Sequence, residues 1–245
     1  KWVFEPTDES IRVGHEIKSA IEKAWTPPDY YFHLRSGGHV GAIRSHMASK
    51  YFLRADIQNF FGSINKTRVT RCLNKFFNYQ KARDWAFAST VIAPTGAKRT
   101  ILPFGFVQSQ LISAVCLSES SLGKCVAKMH SDESLCVSVY VDDIIVSSDN
   151  EASCARALDQ IREAADRSKF TLNEDKLEGP SESITAFNVV IANNHIKVDA
   201  SRMEDFKTTV ATSTNENEKA GIVSYVLSVN VEQAAELAKL SCRIG

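Results

Sequence analysis

The sequence predicts an α+β fold, in which antiparallel strands and helices mix without the regular βαβ alternation of a parallel sheet. Ser134–Ser148 contains two β-rich runs on either side of Asp142-Asp143, which predicts a hairpin with the acidic pair at its turn. Apolar residues at helical spacing flank this hairpin on both sides. The last 45 residues are expected to be helical, with breaks around Thr214–Asn217 and Ser228–Asn230.

The first half of the chain is expected to consist mainly of helices around one strand. Thr26-Pro27-Pro28 ends the first helix, because proline cannot continue a helix. The strand is rich in β-forming residues, and its alternation places Phe52, Arg54 and Asp56 on one face. The expected elements are a helix at Glu16–Trp25, a helix at His39–Lys50, a strand at Tyr51–Ile57, one or two helices within Lys66–Ile92 and a turn at Pro94-Thr95-Gly96.

The second half is expected to place the hairpin between two helices and to follow it with a strand pair. Asn193-Asn194 predicts the turn of that pair, since asparagine tolerates left-handed backbone angles. The expected elements are a helix near Ser109–Met129, the hairpin within Ser134–Ser148, a helix near Glu151–Ser168, a loop at Asn173–Ser183 and strands at Ile184–Ile191 and His195–Val198.

The composition is that of an ordinary globular protein, with 44% apolar and 24% charged residues among 245. This length permits one large domain or two smaller lobes. The six cysteines are scattered and form no CxxC pair, which indicates free thiols in a reducing cytosol rather than a zinc site. The sequence has no apolar run of about 18 residues and no signal-peptide pattern, so we expect a soluble, cytoplasmic protein with no membrane partner.

The charge is distributed unevenly along the chain, although the net charge is zero. Residues 51–105 carry a net charge of +7, with Asp56 and Asp84 as the only acids, whereas residues 106–245 carry −8. A basic segment beside an acidic remainder is typical of a protein that contacts phosphates. A solvated helix face is the alternative explanation for the basic segment.

Asp56 and the Asp142-Asp143 pair are the candidate metal ligands. Transfer of a nucleotidyl group depends chiefly on two divalent ions about 3.5–4 Å apart, and Mg²⁺ prefers carboxylate oxygens, water and phosphate as ligands. A carboxylate at a strand end, beside a hairpin turn with two more, provides such a site. The alternative for Asp142-Asp143 alone is turn chemistry, because aspartate tolerates the backbone angles of a tight turn.

Four segments together resemble the motifs of reverse transcriptases and occur in the order of that family. Tyr140–Asp143, within its β-rich hairpin, is similar to the YxDD signature. Asp56–Ile64 is similar to the preceding motif of bacterial members, in which an aromatic follows the aspartate after four variable residues. Leu102–Ser109 resembles the intervening motif that contacts template and nucleotide, and Thr171–Lys176 resembles the following motif, whose lysine lies near the triphosphate. The resemblance covers well over half of the chain.

This resemblance implies a metal centre with two Mg²⁺ ions, for which Mn²⁺ can substitute. Asp56 and Asp142 would bridge the ions, and Asp143 would complete the cluster. The backbone carbonyl of Ile57 would be an additional ligand.

The resemblance also implies contacts with the incoming nucleotide. Phe61 would lie beneath the sugar and exclude a 2′-hydroxyl, and Gly105 would allow close approach of the backbone. Gln108 would donate a hydrogen bond, Lys176 would neutralise or protonate the pyrophosphate, and Arg12 is the best match to a triphosphate-binding cation. The alternatives are a core aromatic for Phe61, an ordinary helix start for Gln108, a solvated lysine for Lys176 and a surface cation for Arg12.

Contacts with template and primer are expected at Tyr140 and Ser109. The sequence departs from the family at Phe104, where glutamine is usual, and at Gln110, where proline is common. Ala186–Val190 occupies the place of a primer-gripping hairpin that often carries Leu-Gly, so unusual primer handling is expected. The three histidines near Gly37-Gly38 are interpreted as ordinary polar or capping residues, and the aromatic residues of 76–85 as helix core with base stacking as the alternative.

The architecture implied is a right-hand polymerase, with an antiparallel-sheet palm, fingers and a small helical thumb. Residues 1–50 would belong to the fingers, 51–191 to the palm with a fingers insertion at about 66–100, and 192–245 to the end of the palm and the thumb.

The implied reaction is RNA-directed addition of deoxynucleotides to the 3′-hydroxyl of a DNA or RNA primer. The motifs are closer to bacterial members, some of which act in phage defence with an RNA or protein partner. The alternative is a nucleic-acid-binding or assembly subunit that keeps the fold and does not polymerise.

Overall fold

The computed structural model describes residues 4–94 and 99–244. The expected turn at Pro94-Thr95-Gly96 therefore lies largely outside the described residues. The helices are α1 (Asp8–Ala24), α2 (Gly38–Ser45), α3 (Phe60–Ser63), α4 (Lys66–Leu73), α5 (Tyr79–Ala88), α6 (Ser109–Ser118), α7 (Ser121–His130), α8 (Glu151–Ser168), α9 (Ala200–Thr212), α10 (Glu216–Val229) and α11 (Val231–Ile244). The strands are β1 (Tyr51–Asp56), β2 (Val91–Ile92), β3 (Thr100–Ile101), β4 (Cys136–Tyr140), β5 (Asp143–Ser148), β6 (Glu178–Ser181), β7 (Ser183–Ala186), β8 (Val189–Ala192) and β9 (His195–Val198). Short 3₁₀ turns occupy Phe32–Leu34 and Glu174–Lys176.

The central sheet has four strands in the order β4-β5-β1-β6, and the pairings within it are antiparallel. A second sheet, β7-β8-β9, is an antiparallel meander, and β2 pairs with β3 in a separate ribbon. The strands thus pair antiparallel while helices pack around them, which confirms the α+β prediction.

The central sheet separates two hydrophobic cores. Leu53 and Ala55 of β1 face the first core, to which α6, α7 and α8 contribute. Phe52 and Ile145 face the second core, which also contains residues of the β7-β8-β9 sheet and of α9 and α10. Since successive side chains of a strand point to opposite faces, Asp56 lies at the end of the row that contains Phe52.

The predicted hairpin is formed by β4 and β5, with Tyr140 opposite Asp143 and the two-residue loop Val141-Asp142 between them. Val141 has a φ of +57°, whereas Asp142 is not left-handed, as in a turn with one positive φ at its first central residue. The prediction of a hairpin with the acidic pair at its turn is confirmed.

Two of the predicted segments differ from the structure near the second sheet. The loop expected at Asn173–Ser183 contains strand β6, whose Gly179-Pro180 is tolerated because β6 is an edge strand of the central sheet. Gly179 has a φ of +84°, and a Cβ there would lie 2.1 Å from the carbonyl oxygen of Phe52, so this close approach requires glycine. The strand expected at Ile184–Ile191 is interrupted by a turn at Phe187-Asn188 and forms β7 and β8.

The helices also differ from the predictions mainly at their ends. Helix α1 begins at Asp8 because the side chain of Thr7 accepts the N–H of Ser10 and caps it. The helix expected near Ser109–Met129 is two helices, since Ser120 caps a new one at α7. Helix α8 and the breaks in the C-terminal helices agree with the predictions. No helix in the described ranges combines the length and the apolar character needed to cross a bilayer.

Candidate metal centre

Asp56, Asp142 and Asp143 lie together at one edge of the central sheet. Asp56 is the last residue of β1 and Asp143 the first of β5, and the two are paired in the β1–β5 register. Asp142 precedes Asp143 in the hairpin loop, and its carbonyl oxygen accepts the backbone N–H of Ile57 at 2.9 Å. One carboxylate oxygen from each of the three residues lies within 4.8 Å of the others. The structure therefore brings together the three acids singled out in the sequence.

Two of the three carboxylates are buried: Asp56 is 3% exposed and Asp143 is 8% exposed. Burial raises the pKa of Asp143, and the negative charges of Asp142 and Asp56 raise it further, while the guanidinium of Arg54 opposes both effects. Two unit charges about 4–5 Å apart repel by roughly 3–4 kcal/mol at an effective dielectric constant of about 20. Additional positive charge is therefore needed for all three groups to remain ionised.

Arg54 and Lys176 supply part of this positive charge. Arg54 Nε donates to Asp143 Oδ1 at 2.8 Å, and Arg54 Nη1 donates to the carbonyl oxygen of Thr185 at 2.8 Å. Lys176 Nζ donates to Asp56 Oδ2 at 3.1 Å. Asn173 Nδ2 donates to Asp56 Oδ1 at 3.1 Å, so both oxygens of Asp56 have a partner.

Arg54 and Asn173 were not assigned a role from the sequence. The signal for Arg54 was present, because strand alternation places it on the same face as Asp56. Asn173 lies within the segment that contains Lys176, and its backbone N–H also donates to the carbonyl oxygen of Asp56. Only the folded chain shows that both hydrogen bonds reach the same aspartate.

The hairpin loop is held by a residue distant in the sequence. The backbone N–H of Val141 donates to His33 Nδ1 at 3.0 Å. Burial lowers the pKa of His33 to about 4, so its imidazole is neutral near pH 7 and Nδ1 can accept this hydrogen bond. His33 is one of the three histidines near Gly37-Gly38 that were expected to be ordinary polar or capping residues, because its proximity to Val141 arises only from the tertiary fold.

A cavity of about 280 Å³ opens beside the carboxylates. Its lining includes five residues that the sequence predicted to lie at the site, namely Asp56, Ile57, Phe61, Asp142 and Lys176. Asn173 and Phe104 also line it. The ring of Phe61 makes an edge contact with that of Phe104, with centroids 5.8 Å apart. Ile57 is fully buried in the wall of this cavity.

Four of the predicted contact residues do not line this cavity. Arg12 is exposed on α1 and pairs with Glu9. Gln108 is fully buried and donates to Ser89 Oγ at 3.2 Å, and Ser109 is also buried at the start of α6.

Gly105 is the fourth of these residues and has a φ of +103°. A Cβ there would lie 3.5 Å from the carbonyl oxygen of Phe4. The positive φ favours glycine here, whereas the distance to the N-terminal segment is one that a Cβ would tolerate.

Tyr140 lines a different cavity, of about 530 Å³, on the other side of the hairpin. Its ring packs against Phe187 with centroids 5.1 Å apart and against His39 at 6.0 Å. Tyr225 of α10 and Arg202 of α9 close the cavity. Tyr140 therefore faces the β7–β8 turn and the C-terminal helices rather than the carboxylates.

The three carboxylates fit a pair of Mg²⁺ ions by the chemistry of their donors. They offer hard oxygen atoms from two adjacent strands and the loop between β4 and β5, and Mg²⁺ takes a few carboxylates and completes its shell with water and phosphate. Their net charge of −3 exceeds the +2 of Arg54 and Lys176, which leaves the centre attractive to cations. Among the described residues, this donor set has no thiol or imidazole that would favour zinc.

Solved structures with a similar fold come from two groups of proteins. Telomerase from Candida albicans, in complex with a fragment of telomeric RNA, matches with a TM-score of 0.58 and 11% identity over 93% of this chain and 47% of that chain. The foamy viral protease–reverse transcriptase matches in a complex with double-stranded DNA (TM-score 0.52, 14% identity, 84% of this chain and 38% of that one). It also matches in a complex with an RNA/DNA hybrid (TM-score 0.52, 14% identity, 86% and 29%). The chain thus spans less than half of these proteins, and at such identities the likeness concerns the fold.

No curated protein matches this sequence. The family model described as "Reverse transcriptase (RNA-dependent DNA polymerase)" matches residues 12–223, which include β1, the β4–β5 hairpin and the second sheet. The chain therefore belongs to the reverse transcriptase (RNA-dependent DNA polymerase) family.

Proposed function

We propose that this protein adds deoxynucleotides to a primer 3′-hydroxyl under the direction of an RNA template. The observation that carries the proposal is the convergence of Asp56, Asp142 and Asp143, with one oxygen of each within 4.8 Å of the others. Membership of a family of RNA-dependent DNA polymerases supports the choice of template and product. The neighbouring structures were determined with RNA, DNA or a hybrid of both, which supports nucleic acid as the partner.

Asp56 and Asp142 are proposed to hold two Mg²⁺ ions, with Asp143 and the carbonyl of Ile57 completing the ligand set. Bound there, such ions would lower the pKa of an attacking 3′-hydroxyl and stabilise charge on a leaving pyrophosphate. Arg54 favours the ionised form of Asp143 and orients it through its 2.8 Å hydrogen bond. Asn173 and Lys176 orient Asp56 in the same way.

Lys176 and Phe61 are proposed to contact the incoming nucleotide, because both line the cavity beside the carboxylates. Lys176 is half exposed, so its ammonium group can leave Asp56 and approach a triphosphate. Phe61 would exclude a 2′-hydroxyl by its bulk. Phe104, 49% exposed, supports the Phe61 ring where related proteins carry glutamine.

The primer is proposed to lie on the Tyr140 side of the hairpin. The cavity there is bounded by the β7–β8 turn, at Phe187-Asn188, and by α9 and α10.

The domain division that we propose follows the right-hand polymerase. Residues 51–191 would be the palm with a fingers insertion at about 66–100, residues 1–50 a part of the fingers, and residues 192–245 the end of the palm and a short thumb. The bacterial character of the Asp56–Ile64 motif supports a role in phage defence, with a non-coding RNA or protein as partner.

Incorporation of dNTPs on a primed RNA, in Mg²⁺, tests the proposal with wild-type protein, Asp142→Asn and Asp159→Asn. Asp159 is an exposed aspartate of α8 and is the matched control. We expect extension by wild type and Asp159→Asn and a loss of about 10²- to 10³-fold for Asp142→Asn, the scale of removing a charge-stabilising group from an active site. Equal extension by all three proteins would contradict the proposal, and preference for GTP over dGTP would indicate an RNA polymerase.

A second candidate is a nucleic-acid-binding subunit that does not polymerise. The observation that favours it is the burial of Gln108 against Ser89, which removes an expected nucleotide contact from the cavity. This candidate predicts that the wild-type protein and Asp142→Asn bind a primed RNA equally and that neither extends it.

A further inference from the structure

Helices α4 and α5 carry a basic surface that shares no residue with the lining of the cavity beside the carboxylates, which we call the catalytic cavity. A cavity of about 290 Å³ lies between the two helices, close to the lower end of the range for ligand sites, roughly 300–1,000 Å³. We call the residues that carry its chemistry the α4–α5 surface: Lys66, Arg71, Asn74, Tyr79 and Arg83. Among the described residues, no aspartate or glutamate lines this cavity.

The arginines of this surface lack the carboxylate partners that neutralise many other cations of the protein. Within the described ranges, neither Arg71 nor Arg83 forms an ion pair, whereas Arg162 pairs with Glu174 and Arg167 with Glu163. Both arginines are exposed. Unneutralised guanidinium groups around a concave, acid-free surface attract an anionic partner.

The helices present these side chains outward because their other faces are buried. On α4, Val69 and Leu73 are fully buried, and on α5, Ala82 and Trp85 are buried. Asn65 caps α4 by accepting the N–H of Arg68, and equivalent capping by another asparagine starts α5. The outward direction of the charged side chains is therefore fixed by the packing of two capped helices.

The surface continues past Arg71 into a second cavity of about 290 Å³, which Arg68, Lys75 and Arg167 line. Arg71 belongs to both cavities. Lys75 pairs with Glu119 there, so the second cavity is partly neutralised. The positive charge thus extends over two neighbouring cavities, which suits a chain of phosphates better than a single anion.

Tyr79 adds an aromatic ring to the charges. Its side chain is 60% exposed, at the first residue of α5, and its ring contacts no other aromatic ring in the described chain. Exposed aromatic rings beside arginines are the usual elements of single-strand binding, because every base offers a face for stacking.

We propose that the α4–α5 surface binds a single-stranded segment of RNA, with Arg71 and Arg83 on its phosphates and a base stacked on Tyr79. The choice of RNA rests on the proposed function. That the ligand carries phosphates and bases is inferred from the exposed arginines and from the exposed ring of Tyr79. Because the surface and the catalytic cavity share no lining residue, the strand bound here is distinct from the primer terminus at the carboxylates. The surface would hold a template or partner RNA outside the reacting duplex.

Fluorescence anisotropy of a labelled single-stranded RNA of about 12 nucleotides tests this proposal. Binding is measured without divalent ions between about 50 and 200 mM salt, for wild type, Arg71→Gln/Arg83→Gln, Tyr79→Ala and Lys124→Gln/Lys128→Gln. The last variant removes two exposed charges from α7 and is the matched control. A thermal melt of each variant verifies that it is folded.

We expect the arginine variant to reduce the slope of log affinity against log salt by about 1.4, since each phosphate contact to a single strand contributes roughly 0.7. Tyr79→Ala is expected to weaken binding about 5- to 150-fold with an unchanged slope, the range for loss of one stacked base. The lysine control should keep the wild-type slope. A slope unchanged in the arginine variant, or reduced equally in the control, would overturn the proposal.

Two further measurements distinguish binding of an RNA strand from binding of small anions and from binding of DNA. Displacement of the RNA by inorganic phosphate, beyond its effect on ionic strength, would show a site for small anions and would contradict strand binding. Tighter binding of a DNA of the same sequence would contradict the choice of RNA. Extension of a short RNA–primer hybrid by the arginine variant should remain at the wild-type rate. If wild type fails to extend while its binding still depends on Arg71 and Arg83, the inference stands and the proposed polymerase function fails.

Discussion

The backbone N–H of Val141 donates a 3.0 Å hydrogen bond to Nδ1 of His33, and this contact joins the N-terminal segment to the loop that carries Asp142. Val141 is β-branched and has a φ of +57°, a conformation that costs on the order of 1–3 kcal/mol. The same segment makes a second contact, because the N–H of Val139 donates to the carbonyl oxygen of Tyr30 at 2.8 Å. Hydrogen bonds to Tyr30 and His33, which lie outside the hairpin, thus hold the strained loop in place.

Replacement of His33 is expected to slow extension by loosening this loop. His33→Ala removes the acceptor, and a hydrogen bond worth roughly 0.5–1.5 kcal/mol corresponds to a decrease of about 2- to 12-fold in kcat. His33→Asn places an amide oxygen close to the position of Nδ1 and should restore most of the rate. Single-turnover extension measures the effect, and equal losses in both variants would show that the ring acts by packing alone.

Replacement of Phe61 is expected to relax the preference for deoxynucleotides. Phe61→Ala removes the ring beside Asp56 and Asp142, and shape discrimination by an apolar pocket is worth about 10- to 200-fold. Phe104→Ala should have a smaller effect of the same sign, because the Phe104 ring makes an edge contact with the Phe61 ring. The ratio of kcat/KM for dGTP and GTP is the measurement. Phe87→Ala, at a 73% exposed position of α5, is the control that should leave the ratio unchanged.

Mg²⁺ is expected to stabilise the folded protein through the carboxylate cluster. At 100 times its Kd, a bound ion contributes about 2.7 kcal/mol, which raises the Tm of a protein of this size by about 5–10 °C. Asp142→Asn should lose most of this increase, whereas Asp159→Asn should retain it. Thermal melts with and without Mg²⁺ provide the comparison, and an equal increase in both variants would locate the ion elsewhere.

Stability is expected to fall below about pH 6.5 because of His46. Its ring is fully buried between Ser147 Oγ, 2.7 Å from Nδ1, and Ser138 Oγ, 2.8 Å from Nε2, and burial lowers its pKa to about 3. An unfolded histidine has a pKa of about 6.5. Between this value and the pKa of the folded state, the unfolded chain binds a proton that the folded chain does not. The free energy of unfolding therefore decreases by up to about 1.4 kcal/mol for each unit by which the pH is lowered.

Urea unfolding at several pH values between about 7 and 4.5 measures this dependence. His46→Gln can keep one of the two hydrogen bonds and should show a shallower slope than wild type. His195→Gln, at an exposed position of β9, should show the wild-type slope. If His46→Gln retains the full pH dependence, another buried group is responsible, and His33 is the first to examine.

The carboxylate cluster could be predicted because a local hairpin holds two of its acids and the order of the motifs indicated that Asp56 joins them. A two-residue hairpin fixes the positions of Asp142 and Asp143, and an antiparallel register with β1 then brings Asp56 opposite Asp143. The alternation of side chains along β1 also determined that Arg54 would share the face of Asp56. These relationships depend on strand periodicity and turn length, which the sequence displays.

Other features depend on tertiary contacts that no local pattern displays. The turn at Phe187-Asn188 places both residues at positive φ, and a phenylalanine at such a position gives no turn signal. Gln108 lies against Gly14, where a Cβ would approach its Oε1 to 2.4 Å, so a glycine nearly one hundred residues earlier allows its burial. His33 reaches Val141 only because the 3₁₀ turn at Phe32–Leu34 follows the bridge to β4.

Arg54 connects the carboxylates to the second sheet, since one guanidinium contacts both Asp143 and the carbonyl oxygen of Thr185 in β7. A shift of the β7–β8 hairpin would therefore change the charge that balances Asp143. By thermodynamic reciprocity, a ligand that displaces this hairpin must alter cation affinity, and cations must alter the affinity of that ligand equally. A ligand of the Tyr140 cavity that moved this hairpin would therefore be coupled to cation binding at the aspartates.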